Sequence, residues 1–351
     1  MNLCTLLPEA VKYEKFLSLD LKVAIVGFGK MGILHSGILN MLKPGTIRTV
    51  VDRDRLLIAG AARVLRNIKF YRSLEKMLSL EQPDVVYVTT PTQTHYLILC
   101  TLLENDTKNI FVEKPPTLNS EQLADLVKRL SPSHITMVGL QKRYALPFRH
   151  AKLLLESRAL GEVTSIKACI KSGDIRTPTS RFDLIGRGVL LDLGIHLIDL
   201  LEWMVGIKEI SEVTARSIYT KVDDYVNAVL RTNRGAEARV EVTWSSPEHR
   251  IPETLIQIAG EDGTLMVTED CLKVSLKNPN LLLQGQREAR LCKPHYYQNT
   301  PPVNLADPEY TLENLHFLRC IHEREQPETS LPRTLKAMQV IDKMYEVAQR
   351  G

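Results

Sequence analysis

Two periodicities alternate along the first part of the chain. Short apolar, largely β-branched runs come at Lys22–Val26, Thr46–Val51, Val85–Thr89, Ile110–Val112 and Ile135–Val138, with a weaker one at Lys69–Tyr71. Between them lie stretches with apolar residues at helical spacing: Met31–Leu42, Asp54–Leu65, Tyr96–Leu103 and Ser120–Leu130. Strands alternating with helices of this length predict βαβ units and a parallel sheet. Near-continuous apolar strands predict a sheet covered on both faces.

After Arg143 the pattern changes. A helix is predicted over Pro147–Ser157, then a turn at Gly161, a long strand over Glu162–Lys171 and a helix, apolar nearly all round, over Val189–Val205. Strand-like runs follow at Ile210–Tyr219, Tyr225–Thr232, Ala236–Thr243, Thr254–Ala259 and Thr264–Thr268, several of them separated by turn residues such as Asn233-Arg234-Gly235 and Glu261-Asp262-Gly263. An antiparallel sheet with helices on one face accounts for this part. Lys293–Pro308, with four prolines, reads as a loop, and helices over Glu309–Glu323 and Arg333–Gln349 close the chain. The predicted division is an N-terminal extension over 1–20, an α/β domain over 21–143 and a second domain over 144–351. A sheet covered on one face leaves Val226, Ala228, Leu230 or their alternates exposed, and an exposed apolar patch marks an interface. A homodimer or homotetramer through that face is expected.

Composition narrows the classes. At 351 residues, 44% hydrophobic and 25% charged, the chain is an ordinary globular protein long enough for two domains. The net charge of +4 comes with no basic block, so nothing supports nucleic acid or an anionic membrane as partner. The six cysteines, at 4, 100, 169, 271, 292 and 320, form no C-x-x-C and no zinc-like cluster. They read as buried free thiols in a reducing compartment, with no metal site. The start has no basic n-region, and no run approaches the roughly 18 apolar residues of a membrane span. A cytoplasmic protein is expected.

The strand Lys22–Val26 runs directly into Gly27-Phe28-Gly29-Lys30-Met31-Gly32 and then a helix. This is G-x-G-x-x-G in the context that makes it informative: a tight turn at Gly27, backbone approach to a pyrophosphate at Gly29, and close helix–strand packing at Gly32. Free N–H groups at the helix start meet the phosphate charge. Asp52 ends the next strand, where a carboxylate accepts both ribose hydroxyls and favours NAD over NADP. Arg53 and Arg55 follow it, either as groups for a 2′-phosphate or as solvated arginines, so NADP stays open.

Three further segments carry candidate chemistry. Thr90, Pro91 and His95 sit where a strand gives way to a helix, at the sheet edge where ligands bind. Thr92 and Thr94 are candidate N-caps there, and His95 is either a site residue or a satisfied helix-start histidine. Glu113-Lys114-Pro115 ends another strand. The pre-proline position restricts the Lys114 backbone, and its ammonium is either a donor to a substrate oxygen or an ordinary loop lysine. In the apolar helix, Asp192, His196 and Asp199 fall on one stripe, with Gly194 between them. A histidine one turn from a carboxylate is either an oriented general base or a structural pair.

Together GFGKMG with Asp52, Thr90-Pro91 with His95, EKP at Glu113–Pro115 and D-x-G-x-H at Asp192–His196 resemble the glucose–fructose oxidoreductase and inositol dehydrogenase family, Gfo/Idh/MocA. Arg143–Lys152 and Leu160–Val163 look similar too, and the resemblance spans about 22–351. It implies a Rossmann domain, then an α/β domain with a large open sheet for substrate binding and oligomerisation. It also implies a nicotinamide cofactor, a sugar, cyclitol or sugar-nucleotide substrate, catalytic positions at Lys114, Asp192 and His196, and a cis peptide at Lys114–Pro115. Gly139–Tyr144 departs from the common G-F-N-x-R, and Ser172–Arg187 lacks the usual tryptophan-arginine; those segments face substrate in the family, so the resemblance leaves substrate identity open while it carries the fold and the hydride chemistry. The expected function is hydride transfer between a secondary alcohol and NAD(P). The alternatives are a redox-neutral glycosidase-type enzyme with tightly bound NAD and a non-enzymatic NAD-binding regulator.

Overall fold

The computed structural model describes residues 20–174, 187–249, 251–280, 283–292 and 308–349. The extension over 1–19, the loop over 293–307 and most of Ser172–Arg187 lie outside the described residues. The chain divides into two compact units: one holds the described residues of 20–141 and 308–335, the other those of 142–292 and 336–349.

In the first unit six strands, β1 (Val23–Val26), β2 (Ile47–Val51), β3 (Lys69–Tyr71), β4 (Val85–Val88), β5 (Asn109–Glu113) and β6 (Ile135–Gly139), pair in the order β3-β2-β1-β4-β5-β6. Every pairing is parallel. This is the doubly wound Rossmann order, with its switch point between β1 and β4. β1 and β4 are buried throughout, as continuous apolar runs require. The helices are α1 (Lys30–Leu42), α2 (Arg55–Val64), α3 (Leu74–Leu80), α4 (Thr92–Glu104) and α5 (Ser120–Arg129). The pattern missed α3, a seven-residue helix whose start is capped by Ser73. α4 begins four residues earlier than its apolar periodicity. Pro91 takes its N-cap position without a side-chain hydrogen bond, and the Thr94 hydroxyl turns back to the Pro91 carbonyl, so neither Thr92 nor Thr94 is the cap. A late helix, α9 (Pro308–Glu323), packs on α1 and β6 in this unit, although the sequence division assigned it to the second domain.

The second unit contains an eight-stranded sheet, ordered β14-β13-β12-β11-β7-β10-β9-β8. Its strands are β7 (Val163–Lys171), β8 (Ile207–Arg216), β9 (Tyr225–Thr232), β10 (Glu237–Thr243), β11 (Glu253–Gly260), β12 (Gly263–Val267), β13 (Cys271–Asn280) and β14 (Gln286–Cys292). Only β7–β10 is parallel; the other pairings are antiparallel. β13 and β14 were not predicted. β8 starts and stops three residues before its predicted bounds. Gly206, at φ +70, ends the preceding helix and frees Ile207 to begin the strand. The Asp224 carboxylate takes the Ile218 and Tyr219 N–H groups, which closes it.

Helices α6 (Leu146–Glu156), α7 (Val189–Asp192) and α8 (Gly194–Met204) cover one face; α10 (Leu331–Ala348) crosses the division between units. Val226, Ala228 and Leu230 point to the covered face and are buried. Their alternates on the other face include exposed Asn227 and Arg231. That face also carries Lys167, Arg239, Gln257 and Lys273. The expected broad apolar patch is therefore absent among the described residues, because apolar side chains alternate inward and the outward positions are mostly polar.

Candidate active site

The glycine turn forms as its spacing requires. Gly27 has φ +94, and a Cβ there would lie 2.7 Å from the Thr90 side chain and 2.8 Å from the Thr90 backbone nitrogen. A Cβ on Gly32 would lie 2.1 Å from the Gly27 carbonyl oxygen, so helix and turn touch there. At Gly29 a Cβ would meet nothing within 4 Å. That open side faces the start of α1, where no side chain caps the helix. The N–H groups of Lys30, Met31 and Gly32 form the orphan donors of a helix start and fit a pyrophosphate. Phe28 is buried edge-on against Phe70.

Asp52 lies at the end of β2. Its Oδ2 accepts the Phe28 N–H at 2.7 Å and its Oδ1 accepts the Asp54 N–H at 2.9 Å. The carboxylate is thus fixed beside the glycine turn, with lone pairs left for hydroxyl donors. Arg53 and Arg55 are exposed. Asp54, rather than Asp52, caps α2 through the N–H groups of Leu56 and Leu57.

Thr90, His95, Glu113 and Lys114 come together at the ends of β4 and β5. The Thr90 hydroxyl accepts from Thr94 at 2.8 Å. Pro91 is exposed. The buried His95 ring lies between two backbone carbonyls: Nε2 is 2.7 Å from Thr90 O and Nδ1 is 2.9 Å from Pro115 O. Burial lowers its pKa against the pull of both carbonyls. A neutral ring has one N–H, so it donates to one of the two carbonyls and the other faces its bare nitrogen. Lys114–Pro115 is cis, as the resemblance implied, and Lys114 is half-buried.

Glu113 is turned inward. Its Oε1 is 2.9 Å from His35 Nε2, and its Oε2 accepts the Lys114 backbone N–H at 3.1 Å. The other ring nitrogen of His35 lies 3.0 Å from Asn314 Nδ2 on α9, which can donate to it. Sequence reasoning missed this brace. His35 lies three residues beyond Gly32, a visible position, but Asn314 is 279 residues away from it.

The second unit holds Asp192, His196 and Asp199. The predicted single helix is two: α7 ends at Asp192, and α8 begins at Gly194 after Leu193. Gly194 is therefore a helix start, and a Cβ on it would press on the Leu190 side chain at 3.0 Å. Asp192 is half-buried and His196 is 4% exposed. Asp199 takes another role. Arg143 grips it with Nε–Oδ2 at 2.6 Å and Nη2–Oδ1 at 2.5 Å, both partners being buried. Burial pushes the Asp199 carboxyl up, and the guanidinium partly offsets that. The start of α7 is held by Asp223, whose carboxylate accepts the Gly188 and Leu190 N–H groups at 3.0 and 2.9 Å. It also accepts from Tyr345 Oη at 3.0 Å.

A doubly wound sheet, an open glycine turn and an acid at the end of β2 define a dinucleotide-binding protein. Residues 21–140 match the family model described as an oxidoreductase family with an NAD-binding Rossmann fold, and residues 148–266 match the Gfo/Idh/MocA C-terminal domain. The chain belongs to the Gfo/Idh/MocA family: it is an oxidoreductase, and its first unit is an NAD-binding domain. The trans-1,2-dihydrobenzene-1,2-diol dehydrogenase of Xenopus laevis is 23% identical over 333 residues, covering 90% of this chain and 97% of that protein. The scyllo-inositol 2-dehydrogenase (NAD(+)) of Bacillus subtilis strain 168 is 24% identical over 322 residues, covering 88% of each. The solved complex of levoglucosan dehydrogenase with NADH and levoglucosan has the same fold, with a TM-score of 0.79 at 20% identity over 94% of this chain and 97% of that one. Among the described residues no helix is long and apolar enough to cross a membrane.

Proposed function

We propose that the protein is a dehydrogenase that oxidises a secondary alcohol of a sugar, cyclitol or sugar-nucleotide. The single observation that carries this is the open approach to Gly29 at the uncapped start of α1, beside the fixed Asp52 carboxylate. When bound, the nicotinamide supplies the hydride acceptor. The chain's own residues do the rest. The turn from Gly27 to Gly32, with Phe28, Lys30 and Met31, holds the pyrophosphate. Asp52 takes the ribose hydroxyls and favours NAD; Arg53 is the group that a 2′-phosphate meets. Thr90, Pro91, His95 and Glu113 shape the loops at the β4 and β5 ends. Lys114, also beside the cofactor, donates to the substrate oxygen. His196 removes its proton, and Asp192 orients His196 and stabilises its charged form.

Inositol, a dihydrodiol and levoglucosan in the relatives' names are all hydroxylated rings, which supports a ring polyol as substrate class. We also propose a homodimer or homotetramer through the outer face of the eight-stranded sheet; with the broad apolar patch absent among the described residues, this rests on the family resemblance and on Tyr225, Val229, Leu255 and Met266, which are partly exposed among the polar positions.

The test is a screen of NAD and NADP against sugars, cyclitols and nucleotide sugars, read as reduced cofactor formed. NADH formation with a ring polyol is expected, with NADH bound more tightly than NADPH in a fluorescence titration. NAD that stays bound through purification, with no net NADH from any compound, replaces this reading by a redox-neutral one.

A further inference from the structure

Cys271 opens β13 and Cys292 closes β14, and the register sets them directly opposite each other. Opposed residues of an antiparallel pair have Cα atoms about 4.5–5.5 Å apart, inside the range that a disulfide spans. The sulfurs here are 2.6 Å apart. The expectation of buried thiols fails at this pair. β14 is the edge strand, Cys292 is exposed and Cys271 is half-buried, whereas Cys320 is buried.

A cation stands beside the two sulfurs. Arg290 Nε donates to Cys271 Sγ at 3.3 Å. Burial pushes the Cys271 thiol up, but hydrogen bonds from Cys292 and Arg290, with the charges of Arg290 and Lys273, bring it below the ordinary value. The Cys292 thiol is pushed up, first by its hydrogen bond to Cys271. Burial drives the Cys320 thiol up to about 12, which leaves it inert at neutral pH. Arg290 also hydrogen-bonds Cys292 and pulls against that rise, so one guanidinium serves both sulfurs, with its Nε on Cys271.

We infer that Cys271 and Cys292 form a reversible dithiol–disulfide site for small-molecule disulfides, with Cys271 attacking and Cys292 resolving. The Cys271 thiolate attacks one sulfur of the small disulfide. A mixed disulfide forms, the S–S bond of the reagent breaks, and one thiolate leaves. Cys292 then gives up its proton and attacks the Cys271 sulfur, closing the cross-strand bond and releasing the second thiol. One disulfide is made for one consumed, the protons of the two cysteines leave on the released thiols, and excess reduced thiol drives the exchange backward.

Oxidised glutathione added to the full chain, followed by alkylation, digestion and mass spectrometry, tests the site. Wild type is expected to lose two alkylatable thiols, found as a Cys271–Cys292 link that dithiothreitol reverses. Cys292→Ser should retain one glutathione on Cys271. Cys271→Ser should acquire glutathione at Cys292 more slowly than Cys292→Ser does at Cys271, which keeps the Arg290 Nε donor. Arg290→Gln should slow wild-type closure several-fold while every strand stays in place by circular dichroism. A wild-type chain in which both cysteines stay alkylatable overturns the inference. So does a link to any other cysteine or between chains, or Cys271→Ser reacting as fast as Cys292→Ser.

Discussion

Both carboxyl oxygens of Glu313 are buried, with no hydrogen-bond partner among the described residues. Burial first, then repulsion from Glu113 and Glu309, pushes this carboxyl well above the usual range. The folded chain therefore holds a proton that the unfolded chain releases near pH 4.3. The stability that this proton contributes is complete below that pH and is lost as pH rises toward the folded value. Glutamine has no proton to lose. Glu313→Gln should raise the thermal midpoint by a margin that grows from pH 5 to pH 9 (roughly the span over which such an acid titrates); a margin constant with pH contradicts this account of Glu313. The glycines give a second contrast. Gly29→Ala places its methyl in open space, so the midpoint should hold while NADH affinity falls by about tenfold, the loss of roughly one backbone contact to phosphate. Gly32→Ala drives a methyl into the Gly27 carbonyl, and overpacking of this kind costs about 1–3 kcal/mol. Equal NADH affinity in Gly29→Ala and wild type would remove Gly29 from the cofactor cradle.

At the scale of elements, what was legible followed how local the cause was. The first five long strands of the Rossmann sheet were read within a residue or two at most ends, because each is a continuous apolar run, and the glycine turn with Asp52 needs only adjacent residues. The split between α7 and α8 was not visible: apolar periodicity runs through Leu193, and the cap at the start of α7 comes from Asp223, 35 positions after Gly188. β14 reads as Gln-Arg-Glu-Ala-Arg-Leu-Cys, an exposed edge with no hydrophobic alternation to find. β13 does alternate, with Leu272, Val274 and Leu276 buried, and is the one strand that the pattern carried and the reading missed. Asp199 was seen as one of three polar groups on a stripe, yet its partner Arg143 is 56 residues away. Arg143→Ala leaves that carboxylate buried without its cation, and breaking such a pair costs about 3–5 kcal/mol. Chemical denaturation should show a loss of that size; a loss under about 1 kcal/mol would mean that Asp199 takes up a proton at little cost.

For the whole molecule, the β3-β2-β1-β4-β5-β6 order places the glycine turn, Thr90 and Lys114 at the carboxyl ends of β1, β4 and β5, the edge at which doubly wound sheets bind ligands. In the second unit, Asp192 and His196 lie on the helices that cover one face of the eight-stranded sheet. If the proposed assembly forms through its outer face, light scattering at micromolar concentration should give a dimer or tetramer; a monomer would return that face to solvent. The central claim is that Lys114 and His196 act on the reacting oxygen. Its most direct test is turnover of Lys114→Ala, His196→Ala and the more volume-conserving His196→Asn on the substrate that the screen identifies, with NADH affinity measured on the same preparations. The account predicts a fall of about 10²–10⁴-fold in kcat for each, the usual worth of a proton-transferring group, with NADH affinity little changed. Near-normal turnover in the His196 variants would contradict it and make Asp192 and His196 a structural pair.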